Sequence, residues 1–506
     1  MNEISKEFRM IKDFPFFLCA TISYALFYVI CLYKNGSGIT FPLFTLGTII
    51  YFALCLKKLE VNLKPYSIFY IVCIELLGLS TCLTESWVII FFNKTSIIFL
   101  VIVFLLHNFY EVKNWNFVGY IKAYLKTIFY PVGFIYKPFS HLSTYKKIRE
   151  DSNKEKINRK ILYVFVGILV SIPLLCIIVA LLVSSDMVFE KLFNNLVKDI
   201  TIPSLVIDGI WMSILFIFVF LCAYMLLSFL SIYRMENEEK ENKKGEPVLA
   251  ITISSILSVV YIIFCSIQVM YLFLGRTAGL SLPEGMTYSE YAREGFFQLL
   301  FVCIINLILV LIGIYLFRES KVLKVFLCII TSCTFIMIIS SALRMILYIQ
   351  HQYLTFLRVF VLWALFVIFF VMIGVTITIF KKDFNFFKYA TVTVTVLYLI
   401  LSYARVDYIV AKVNVDNMEE ETQYEFFKGT ELYDDPFYLT ENLSYDAAPV
   451  IIGYEQEVTQ KIDYVYNRWR GYYIDDIIEE TEDMGIRDFN VSKFIARNLA
   501  LKNNVE

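Results

Sequence analysis

Residues 87–107 read WVIIFFNKTSIIFLVIVFLLH. Apart from Asn93–Ser96 and the closing histidine, the run is wholly apolar. As a helix rising 1.5 Å per residue it covers about 30 Å, the hydrocarbon thickness of a bilayer. It lacks the alternation of a barrel strand, and hydrocarbon leaves no other way to satisfy the backbone. The stretch reads as a transmembrane helix.

The same pattern recurs on both sides. The spans predicted are Phe14–Tyr33, Ile39–Leu56, Tyr66–Leu83, Trp87–His107, Ile161–Val183, Ile207–Tyr233, Val248–Phe273, Phe296–Phe317, Val322–Leu347, Val359–Phe380 and Phe387–Ala404. The expected class is an all-α polytopic bundle of about eleven spans. Composition agrees: 58% of residues are hydrophobic and 18% charged, where a soluble domain carries about a quarter charged. The first run is too long for a signal-peptide core and lacks a small-residue cleavage site, so it reads as a retained span.

Charge sets the orientation. One set of loops, including the N-terminus, holds 27 lysines and arginines, and the alternate set holds seven. The basic loops belong in the cytoplasm. The N-terminus is therefore expected inside and, with an odd number of spans, the C-terminus outside. A multi-pass protein of a bacterial plasma membrane is the expected setting. The bilayer itself is then its first partner.

Four regions follow: spans one to four (1–107), a basic loop (108–160), seven further spans (161–404) and an acidic tail (405–506). In the loop, Lys122 and Lys126 stand four apart on one helix face. Pro131 and those lysines argue against a span. An interfacial helix on anionic lipid is predicted there, with a cytoplasmic protein as a further possible partner and no nucleic acid. A second surface helix is expected in 184–204, at MVFEKLFNNLV. The tail holds 22 carboxylates against ten basic residues. Its stretches KIDYVYNRWRGYYIDDIIEETEDM and VSKFIARNLALKN read as amphipathic helices of a compact extracytoplasmic domain.

Three groups of motifs carry a family resemblance. They are VYIIFCSIQVMYLF with MTYSEYAREGFFQLL, then SSALRMILYIQHQYLTFLRVF, then YARVDYIVAKVNVDN with YLTENLSYDAAPVI and IRDFNVSKFIARNLA. In order and spacing, over 248–500, they resemble the bacterial polytopic family called domain of unknown function 4173, with its sibling 4153. The family-like membrane core is 248–404. Gln352 stands where that family usually shows glycine. The resemblance implies a shared membrane architecture and brings no activity and no catalytic residue.

Ionisable groups inside a bilayer are costly and are usually paired or functional. Glu75 and Lys94 fall at similar depth on spans joined by the turn 84–86, and an ion pair between them is predicted. Arg293, Arg344 and Arg358 gather near the outer face, with Tyr291 beside the first and Tyr348 one turn from the second. Guanidinium groups fork onto phosphate or carboxylate. These five residues are the ligand-site candidates. The same arginines could instead dock the acidic tail.

No catalytic residue is assigned. There is no HExxH, no phosphate-binding GxxxxGKS/T loop and no GxSxG elbow. The eleven cysteines lie in apolar runs without a CxxC pair, so no metal and no cofactor is expected. An envelope glycosyltransferase would place carboxylates in the first outer loop, but KNGSGIT has none and Asp186 is a weak substitute. The expected function is an outward-facing ligand-binding or transport-like protein. The alternative is a sensor or scaffold that couples the outer domain to a cytoplasmic partner, and an envelope glycosyltransferase-like enzyme is the third reading.

Overall fold

Each long apolar run closes its own backbone hydrogen bonds as a helix. The computed structural model describes residues 6–112, 115–149, 204–235, 245–270, 296–351, 354–381, 383–420, 442–453 and 462–503, with isolated positions between 175 and 191. Among them there is no strand. A single backbone bridge joins Gly245 to Phe317.

The helices in chain order are α1 Lys6–Lys12, α2 Phe14–Leu32, α3 Thr40–Lys58, α4 Ser67–Leu83, α5 Trp87–Phe109, α6 Phe117–Phe129 and α7 Lys137–Arg149. Then come α8 Ser204–Ile232, α9 Pro247–Gln268, α10 Phe296–Leu316, α11 Lys321–His351, α12 Phe356–Phe380 and α13 Phe386–Tyr403. The last four are α14 Val406–Glu420, α15 Ala448–Gly453, α16 Ile462–Thr481 and α17 Val491–Asn503. Helices α2, α3, α5 and α8–α13 are nine with the length and apolarity to cross a membrane. Helix α4, at 17 residues, is a shorter apolar tenth. The chain is a multi-pass, all-α membrane protein. The predicted span Ile161–Val183 and the surface helix predicted in 184–204 lie outside the described residues.

Local chemistry starts the helices where they start. Pro247 opens α9, where its missing N–H costs nothing. Asn116, Thr355 and Asn385 cap α6, α12 and α13 by accepting from the N–H three residues on. Helix α11 runs four residues past the predicted edge at Leu347, because no proline or glycine stops it.

The membrane helices pack as two groups. Helices α2–α5 share one continuous core with α8 and α13. Helices α9–α12 enclose two further cores. Helix α13 touches α4 on one side and α12 on the other. Buried amide hubs tie the packing. Asn93 of α5 accepts from Tyr398 and Ser402 of α13, both at 2.8 Å, and its amide donates to Thr81 of α4 at 3.2 Å. In the second group Tyr261 of α9 donates to Asn306 of α10 at 2.7 Å, which donates to Thr334 of α11 at 3.0 Å.

At the basic end, cations close the carbonyls that helix C-termini leave open. Lys6 donates to Phe109 O at 2.8 Å, Lys64 to Tyr110 O at 2.6 Å and Arg9 to Leu59 O at 2.9 Å. Basic residues of the N-terminus and of the α3–α4 connection thus also finish α3 and α5. Helix α6 lays Tyr120, Ala123 and Thr127 inward, with Tyr120 stacked 4.1 Å from Phe387. Ile121, Leu125, Ile128 and Phe129 face outward. Helix α7 buries His141, whose Nδ1 lies 3.0 Å from the Tyr224 hydroxyl of α8. Lys137 of the same helix pairs with Glu7 of α1 at 2.7 Å.

Candidate functional site

The opposite end carries the 33–39 and 84–86 turns and the C-terminal helices. Helix α11 places Arg344 and Tyr348 one turn apart, on one face. Arg344 is buried, and its guanidinium donates to Gln268 Oε1 of α9 at 3.0 Å. The Ser340 hydroxyl donates to the same oxygen at 2.7 Å. Gln268 therefore holds Arg344 to a fixed azimuth. From α12, Arg358 lays its guanidinium 4.3 Å from the centre of the Tyr348 ring, a cation–π stack. Tyr348 and Arg358 thus meet, and Arg344 lies one turn from Tyr348 on α11. Tyr291 and Arg293 lie outside the described residues.

The loop between α11 and α12 is clasped from above. Asn414 of α14 accepts from Leu354 N and donates to Leu354 O, each at 2.9 Å. The C-terminal helices then reach across to the first group. Asp446, fully buried, accepts from the Thr84 hydroxyl and from Glu85 N at 3.0 Å. Asn490 caps α17 and donates to Thr84 O at 2.9 Å. Ile39 N donates to Phe489 O at 2.8 Å, and Asn35 to Arg487 O at 2.8 Å. Lys493 pairs with Glu85 at 3.1 Å. Gly38 is required here, since a Cβ would strike the Arg487 carbonyl. The motif KNGSGIT is thus a docking turn.

Burial shapes the charges of this interface. It pushes the Glu85 and Asp407 carboxyls above their ordinary range, against the opposing pull of Lys493 on the first and Ser444 on the second. Asp407 takes the Ser444 hydroxyl at 2.6 Å.

Glu75 and Lys94 form no ion pair. The Thr45 hydroxyl of α3 lies 2.7 Å from Glu75 Oε2. The Lys94 ammonium instead sits 5.7 Å over the Phe41 ring, beside Gly36 and within the field of Glu85. Their contacts on α3 fall one helical turn apart, at Thr45 and Phe41, so the two groups end at different depths. The long lysine stem lets the charge rise to the 33–39 turn, beside Gly36.

Four residues that shape this end are not singled out by the sequence: Asn93, Asp446, Asn490 and Asn414. Each is a polar residue in an otherwise ordinary context. Asn93 in the apolar run 87–107 was the visible signal, overshadowed by the charge beside it. Among the described residues no cluster of His, Cys, Asp or Glu fits a metal.

A family model for the domain of unknown function DUF4153 matches residues 71–454, more than half of the chain. The chain belongs to this family. The motifs resembled 4173 most, and the match falls on its sibling. No curated protein and no solved structure matches. The DUF4153 region takes in the Asn93 hub, the Arg344–Tyr348–Arg358 cluster and Asp446, and it ends before Asn490 and Lys493.

Proposed function

We propose that this DUF4153 protein is an outward-facing ligand-binding, transport-like protein of a bacterial plasma membrane. Its ligand carries an anionic group taken by Arg344 and Arg358 beside Tyr348. The observation that carries the reading is Arg358 stacked on Tyr348, with Arg344 buried one turn from that tyrosine on the same helix and oriented by Gln268. Guanidinium groups bind phosphate and carboxylate through charge-assisted N–H donors. Arg293 and Tyr291, expected at the same outer level, belong to the proposed site. Thermal unfolding in nanodiscs tests it, with inorganic phosphate and citrate as probes. A bound anion stabilises the folded protein by linkage, so the melting temperature should rise with probe concentration. R344Q and R358Q should each flatten that response. An equal rise in both variants would remove the site.

A second reading is favoured by the C-terminal helices, which bind the α11–α12 loop through Asn414 and the α4–α5 turn through Asp446. A domain seated on both groups could report occupancy across the membrane as a sensor. Its output would be the basic 108–160 region, where Lys122 and Lys126 line a groove with Trp115 and Met235. Anionic lipid and a cytoplasmic protein are the partners proposed for that face. Capture of a specific cytoplasmic protein by the wild type, lost on replacing both lysines with glutamate, would support sensing.

A further inference from the structure

Glu75 lies midway along α4, with Val72, Leu76 and Leu79 exposed around it on the lipid side. Four helices pack against α4: α3, α5, α13 and α17. None brings it a cation. Helix α3 presents Thr45, and Lys94 of α5 has turned to the outer rim. His107 of α5 packs against Tyr66 and Tyr70 at the basic end. Helix α13 brings Tyr403, whose hydroxyl donates to Leu76 O at 2.7 Å. Lys493 of α17 is paired with Glu85. An isolated carboxylate in hydrocarbon is far costlier than the neutral acid.

A count of hydrogens points the same way. The Thr45 hydroxyl oxygen is 2.8 Å from Pro42 O and 2.7 Å from Glu75 Oε2. Both are hydrogen-bond distances. A hydroxyl owns one proton, and a carbonyl owns none to give. If Glu75 were ionised, the one hydroxyl proton would have to serve both acceptors at short range, weakening each bond. If Glu75 is protonated, the acid donates to Thr45 and Thr45 donates onward to Pro42. Gly78 permits the approach of α3 and α4, because a Cβ there would collide with the Thr45 hydroxyl. We propose that Glu75 is a proton-binding site inside the bilayer, occupied in this structure, with Thr45 as the acceptor of its proton.

Infrared spectroscopy of the full chain in lipid bilayers near neutral pH tests this. A protonated carboxyl has a C=O stretch apart from the amide bands and shifts on deuteration. E75Q, whose amide can donate to Thr45 as the acid does, should fold and lose one such band. T45V, close in shape, should keep the band and move it to higher frequency, because the acceptor is gone. Spectra in which E75Q removes no carboxyl band, or T45V leaves that band unmoved, would overturn the assignment.

Discussion

Single polar side chains decide this structure more than its charges do. Asn93 joins α4, α5 and α13 through four hydroxyl groups, one of them the more distant Ser80 at 3.4 Å. Interhelical hydrogen bonds in membranes are worth about 0.6 kcal/mol on average and up to about 1.7. N93A should therefore cost about 1 kcal/mol, read as a lower melting temperature in detergent. Asp446 should matter more, since its loss leaves a buried hydroxyl and a backbone N–H without an acceptor. D446A should destabilise the docked C-terminal helices by about 2 kcal/mol and expose 442–453 to protease, with D446N recovering part of the loss. The sequence made Glu75 and Lys94 visible because charge in a span is rare. It does not show which residue of α3 each one meets, Thr45 for Glu75 and Phe41 for Lys94.

At the scale of the element, period and length were legible and termini less so. The spans came from apolar length alone, and α17 begins and ends where its amphipathic motif does. The helix α14, with its mixture of Val, Asp and Asn, has no such stripe and went unseen. Helix α7 also carries a test. Burial pushes the His141 imidazole from 6.5 down to about 4, reinforced by Lys137 and opposed by Glu7. The unfolded chain thus binds this proton more readily than the folded one, so stability falls as pH drops below about 6.5 toward 4. Hydrogen exchange should show α1 and α7 loosening across that window. H141Q should remove the dependence while keeping a partner for Tyr224.

For the whole molecule, the two ends answer acid in opposite senses. Glu85 and Asp407 have carboxyls raised above 4.5 and 3.8 by burial. The folded state holds those protons more tightly, so docking is strongest at low pH and weakens as pH rises through the raised values. Protease release of the C-terminal helices, followed from mildly acid to alkaline pH, should increase. Orientation has its own test. Ile486, 91% exposed beside the docking turn, changed to cysteine should react with an impermeant maleimide in intact cells. Ile148 on α7, treated likewise, should react only after lysis.

The docking turns also impose an order on biosynthesis. Thr84 meets Asp446 across 362 residues of chain, and Ser37 meets Asn490 across 453. The first spans enter the membrane long before their partners leave the ribosome. Until then Gly38, Ile39, Thr84 and Glu85 offer polar groups with nothing on them. A nascent chain of this protein thus carries an unfinished outer rim through most of its synthesis, and the final helices complete it. Truncations before Asp446 should consequently be inserted and then removed by membrane proteases, where the full chain persists.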